Sequence, residues 1–85
     1  MDNMTFKVKV SGTIQRSAGV DSITVSAPPV FKDVVDAIGK EIRAKAGDTV
    51  LFTVLCNDQS CMLFDQNAAV KQSDQFSVIP VILGG

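Results

Sequence analysis

Ser73-Asp74-Gln75-Phe76-Ser77-Val78-Ile79-Pro80-Val81-Ile82-Leu83-Gly84-Gly85 closes the chain, and its first nine residues read as an acidic turn followed by an alternating strand. Phe76, Val78 and Pro80 fall on one face and Ser77, Ile79 and Val81 on the other, the period of two that a β-strand imposes. Gln75 to Val81 is therefore expected as the last strand. Pro80 cannot donate to a ladder, so pairing is expected to give way near it. The final glycines lack a Cβ, so Gly84-Gly85 can lie extended in a narrow groove with the α-carboxylate open to attack.

Upstream, Met4 to Val10 alternates in the same way, with Phe6, Val8 and Val10 inward and Thr5, Lys7 and Lys9 outward. Ser11-Gly12 breaks this first strand, and Gln15 to Val20 reads as a polar, glycine-containing loop. Ser22 to Ser26 alternates again around Ile23 and Val25, which predicts an antiparallel hairpin with a long, mobile tip. Ala27-Pro28-Pro29 ends that strand and opens a helix, since proline is tolerated in a first helical turn. Phe31, Val34, Val35, Ile38 and Ile42 form one apolar stripe at helical spacing. Asp33 and Asp36 lie toward the positive end of the helix dipole and Lys40, Arg43 and Lys45 toward the negative end, with Gly47 as a left-handed stop. Gly39 costs about 1 kcal/mol against alanine, less than the roughly 1.5–3 kcal/mol that each stripe residue contributes on burial.

Val50 to Cys56 is apolar on both faces, as an interior strand should be. Asn57-Asp58-Gln59-Ser60 is a turn, Met62-Leu63-Phe64 a short returning strand, and Asp65 to Asp74 a loop with a helical turn. The order is that of an α+β domain with one main helix across one face of a sheet. One helix cannot cover two faces. Either Leu51, Leu55, Ile79 and Val81 or the alternates Phe52, Val54, Phe76 and Val78 should remain uncovered as a docking surface.

Composition narrows the function. The 85 residues make one domain, 1–85, with 46% hydrophobic and 20% charged residues and Lys plus Arg 8 against Asp plus Glu 9. That balance gives no electrostatic footprint for nucleic acid. The longest apolar runs fall far short of the ~18–20 residues of a membrane span, and the amino terminus lacks the pattern of a secretory signal. The chain is accordingly expected in the cytosol, with Cys56 and Cys61 as buried, reduced thiols. With no histidine and two cysteines, a four-ligand zinc site is not expected. Nothing pairs a nucleophile with a base, so an independent enzyme is not expected either. Lys7 and Lys9 solvate the outer face of the first strand, or meet an acidic partner.

The order of elements, the Asn57-Asp58 turn, the stretch Ser73 to Val81 and the terminal Gly84-Gly85 together resemble the MoaD/ThiS group of β-grasp sulfur carriers. The similarity is greatest to the small subunit of molybdopterin synthase. The resemblance implies a β-grasp (ubiquitin-like) fold with a mixed five-stranded sheet, the first and last strands parallel at its centre, and 82–85 as a flexible tail. It implies no bound cofactor and no metal. A ubiquitin-activating-type enzyme would use ATP to adenylate Gly85, sulfur would replace AMP to give a thiocarboxylate, and a large synthase subunit would receive the tail for molybdenum cofactor synthesis. Gly85 and Gly84 carry over as the sulfur-bearing end, with Leu83, Ile82, Val81 and Pro80 as partner-docking candidates. Leu83 is bulkier than the residue usual in the group, which leaves the acceptor open, and with a reading from another class three alternatives stand. These are thiazole synthesis or another sulfur pathway, a protein lysine as in ubiquitin-like tagging, and an interaction module whose glycines are incidental.

Overall fold

The computed structural model describes residues 3–81, so the Ile82, Leu83, Gly84 and Gly85 assignments lie outside the described residues. Eight elements follow in order. They are β1 (Met4–Val10), α1 (Gly12–Ala18), β2 (Ser22–Ala27), α2 (Phe31–Ala46), β3 (Phe52–Cys56), β4 (Gln59–Ser60), a 3-10 turn (Cys61–Leu63) and β5 (Phe76–Pro80). The strands form one mixed sheet in the order β2-β1-β5-β3-β4. β5 lies in the middle. It runs parallel to β1, with Val8 opposite Phe76 and Val10 opposite Val78, and antiparallel to β3, with Val54 opposite Val78 and Phe52 opposite Pro80. The parallel pairing of first and last strands is the one the resemblance implies.

Strand alternation decides which face is buried. Phe6, Val8, Val10, Ile23, Val25, Val54, Cys56, Phe76 and Val78 turn toward α2, and Phe31, Val34, Ile38 and Ile42 of the helical stripe meet them. Val35, the fifth stripe residue, is half-buried at the edge. Phe6 and Phe76 pack edge to face at 5.5 Å and Phe31 stacks on Phe64 at 4.9 Å, arrangements that the ring quadrupole favours.

Four local expectations are corrected. The supposed hairpin tip contains α1, a seven-residue helix that buries Ile14 and ends on Gly19 at φ 75°, whose N–H donates to the Gln15 carbonyl. Too few apolar residues mark it. Its single buried side chain gives no stripe, and its stability comes from packing rather than propensity. Second, Met62-Leu63-Phe64 does not return as a strand. β4 stops after Gln59–Ser60, and the Ser60 hydroxyl accepts from the Met62 N–H at 3.3 Å, which turns the chain into the 3-10 turn. Third, Gly47 has φ 103° and ψ 157°, outside the left-handed helical region, while its N–H still donates to the Arg43 carbonyl. The prolines also sit one step earlier than expected, because Val30 is the N-cap and Pro28-Pro29 precede it.

The long connection after the 3-10 turn has no helical turn of the α type, yet it is tied down. Its carbonyls at Gln66 and Ala68 accept from the N–H groups of Lys32 and Phe31, and the Val70 N–H donates to the Pro29 carbonyl. The first N–H groups of α2, which a helix leaves without internal partners, are thus satisfied by backbone. Asp74 ends the connection. Its carboxylate accepts from the Lys71 N–H at 2.9 Å and from the Asn57 side-chain amide Nδ2 at 3.1 Å, while Asn57 Oδ1 accepts from the Gln75 N–H at 3.0 Å. Asn57 and Asp58 have φ of 52° and 67°, the positive values that a two-residue type I′ hairpin turn requires. The acidic turn read from the sequence therefore anchors both the β3-β4 hairpin and the start of β5.

Candidate functional site: the exit of β5 and the open sheet face

β5 delivers the chain to residue 81 in a fixed position. On one side the Ser11 N–H donates to the Val78 carbonyl at 3.1 Å, and on the other the Val81 N–H donates to the Leu51 carbonyl at 3.2 Å. Pro80 points to the helix side and meets α1. A Cβ on Gly12, whose φ is 65°, would stand 2.9 Å from Pro80 Cγ and 3.1 Å from Cδ. Contacts this close leave no room for a side chain, so Gly12 is required both by conformation and by its neighbour. Reading Ser11-Gly12 only as a strand break misses this contact.

Ile79 and Val81 point the other way, to the face that no helix covers. Leu51 is 54% exposed, Val81 37% and Ile79 36%, and the half-buried Leu55 belongs to the same alternation. Of the two sets expected to be uncovered, this first one is the exposed one. Val54, Phe76 and Val78 are buried and Phe52 is half-buried beneath Arg43, whose guanidinium carbon lies 5.8 Å from the ring centre. Lys9 lies opposite Ser77 on the neighbouring strand, and Lys7 follows it on the exposed face. The open face is thus an apolar patch with a basic border, beside the point where β5 ends. Of the four docking candidates, Val81 is exposed on this patch and Pro80 is half-buried under α1.

The remaining chemistry is sparse. Cys56 and Cys61 are both buried free thiols. Burial pushes Cys61 up to about 12, with the charge of Cys56 adding to it, and burial followed by Asp74 raises Cys56. Raised thiols are poor nucleophiles, because the thiolate is the reacting form. Among the described residues no group of three His, Cys, Asp or Glu could hold a metal ion. A groove of about 850 Å³ runs over β1, lined by Lys7, Lys9 and Asp21 together with Gln72, Asp74 and Phe76. It is shallow and mixed in charge. No helix among the described residues is long and apolar enough to cross a membrane.

A mixed sheet in this order with a long helix across it is the β-grasp, ubiquitin-like fold. No protein-family model and no curated protein sequence matches the chain. Solved structures do match. The small archaeal modifier protein 1 from Methanosarcina acetivorans is 19% identical with a TM-score of 0.67, and the alignment covers 100% of each chain. Its namesake from Haloferax volcanii is 17% identical with a TM-score of 0.66, over 96% of this chain and 100% of the other. A putative molybdopterin converting factor, subunit 1, from Pyrococcus furiosus is 17% identical with a TM-score of 0.64, over 93% and 99%. At these identities the likeness is one of fold.

Proposed function

We propose that this chain is a cytoplasmic β-grasp carrier whose chemistry resides at Gly85. A ubiquitin-activating-type enzyme transfers AMP from ATP to the Gly85 carboxylate, releasing pyrophosphate, and a sulfur nucleophile then displaces AMP to leave a thiocarboxylate. The large subunit of a synthase accepts that sulfur in molybdopterin formation. The observation that supports this reading best is the placement of β5. A central strand, held by backbone hydrogen bonds to Val81, ends beside an uncovered apolar face with lysines at its margin. A partner that grips this face holds the rigid body while residues 82–85, which span at most about 14 Å when extended, reach its active site. In this reading the carrier contributes its terminal carboxylate and the partner enzymes supply the catalytic side chains.

The test is mass spectrometry after incubation with the cognate activating enzyme, ATP and a sulfur donor. The chain should gain the mass difference between sulfur and oxygen, and Gly85 deletion should abolish the gain. No gain with an enzyme that charges another carrier would exclude the proposal. Ile79→Asp should slow charging by at least about tenfold without unfolding the protein, as expected when a charge enters the apolar centre of an interface.

A second reading keeps the adenylation and replaces the sulfur acceptor by a protein lysine. It is favoured by the small archaeal modifier proteins among the similar folds. Isopeptide adducts carrying the Gly85 terminus would establish it.

A further inference from the structure

We propose that the free edge of β2 pairs with β2 of a second copy of this chain, joining two sheets into one continuous sheet. β2 is the sheet's outer strand on one side, and its register to β1 runs unbroken from Ser22 opposite Lys9 to Ala27 opposite Met4. The Val10 N–H donates to the Asp21 carbonyl at 2.9 Å, which sets the phase of the ladder. In an antiparallel pair the hydrogen-bonded positions alternate, so Asp21, Ile23, Val25 and Ala27 bond to β1. Ser22, Thr24 and Ser26 then direct their N–H and C=O groups away from the sheet. None of these groups has a hydrogen-bond partner outside the β1-β2 ladder among the described residues.

Edges of this kind are normally blunted by lysine, proline, a bulge or extreme shortness. The opposite edge obeys the rule, since β4 has two residues and runs into the 3-10 turn. β2 has none of these devices. Ser22 to Ala27 contains no charge and no proline, and its register contains no bulge.

The occupant follows from self-complementarity. With Thr24 opposite Thr24 of the second copy, Ser22 lies opposite Ser26, and the outward-directed groups of each pair meet as donor and acceptor across a two-fold axis. Ile23 then faces Val25, and Asp21 faces Ala27, so no like charges are brought together. A net charge of -1 adds little repulsion between copies. An edge-to-edge contact of one short strand is far smaller than a standard interface, which makes this a weak, concentration-dependent dimer.

Sedimentation equilibrium on the full chain tests this, together with amide exchange. Between about 10 μM and about 1 mM the weight-average mass should rise toward that of a dimer, as a dissociation constant within that range requires. The amides of Ser22, Thr24 and Ser26 should become protected in parallel. Thr24→Lys sets two charges against each other on the two-fold axis, at an exposed position that the fold tolerates, and should weaken association by more than tenfold. Ile79→Asp should leave it unchanged. A chain that stays monomeric at 1 mM overturns the proposal, as does Thr24→Lys associating like the parent. Loss of association in Ile79→Asp would place the contact on the open face instead. Protection of the three amides only when a foreign extended peptide is added would assign the edge to a different partner and overturn self-pairing.

Discussion

Replacing Gly12 by alanine probes the contact on which the exit of β5 depends. Two costs add. A non-glycine residue at φ 65° is strained by roughly 1–2 kcal/mol. The new Cβ would also stand 2.9 Å from Pro80 Cγ, a contact that a rigid pyrrolidine ring cannot relieve by rotation. Overpacking of this kind typically costs about 1–3 kcal/mol. Gly12→Ala should therefore lose about 2–5 kcal/mol, a large part of the roughly 5–15 kcal/mol that a domain possesses. Gly19→Ala is the control. Gly19 has φ 75°, and a Cβ added there would meet nothing within 4 Å, so only the backbone strain applies and the loss should be about 1–2 kcal/mol. Pro80→Ala removes Cγ and Cδ, and in that background Gly12→Ala should cost no more than Gly19→Ala. Urea denaturation of the parent, the three single variants and the Gly12→Ala/Pro80→Ala double variant closes the cycle, with a coupling of at least about 1 kcal/mol expected between positions 12 and 80. Equal losses for Gly12→Ala and Gly19→Ala, with no coupling to Pro80, would refute the close approach of α1 to β5.

Other perturbations have signs that the structure determines. Gly39→Ala should stabilise by about 0.5–1 kcal/mol in a thermal melt, because helix propensity improves and the nearest obstacle is the Arg43 guanidinium, 3.1 Å from the added Cβ and at the end of a flexible side chain. Destabilisation would show that Arg43 is held too firmly to yield. Asp58→Gly should also stabilise, by about 0.5–1 kcal/mol, since glycine adopts φ 67° without the cost a side chain incurs. Stability should fall as pH rises from about 8.5 toward 12, with a slope of up to about 1.4 kcal/mol per pH unit from Cys61. The raised thiol stays protonated in the folded chain while the unfolded chain ionises first, so the contribution is intact below the unfolded value and lost above it. Urea midpoints measured across that range should fall less steeply in Cys61→Ala, where the raised Cys56 thiol remains.

Much of the fold is legible because its elements carry their own periodicity. β1, β2 and β5 alternate, α2 repeats at helical spacing, and each pattern survives because one face of each element is buried. α1 is hidden because a helix with one buried residue has no face to display. β4 is shorter than its apolar neighbours suggest because Ser60 caps a 3-10 turn through its own side chain, a local bond that competes with the strand Met62-Leu63-Phe64 would otherwise extend. Met62 and Leu63 are 88% and 77% exposed, which shows how little hydrophobicity decides at a sheet edge.

The candidate site divides along the same line. Alternation alone separates Ile79 and Val81 from Val78 and Phe76, because successive side chains on a strand must oppose each other. Which of the two faces stays open depends on where α2 lies, a property of long-range packing that no local pattern carries. The Gly84-Gly85 end, on which the proposed carrier chemistry rests, is read from the order of residues. The seat from which that end departs, with Pro80 against Gly12 and Val81 bonded to Leu51, exists only because residues distant in sequence are brought together by a central strand.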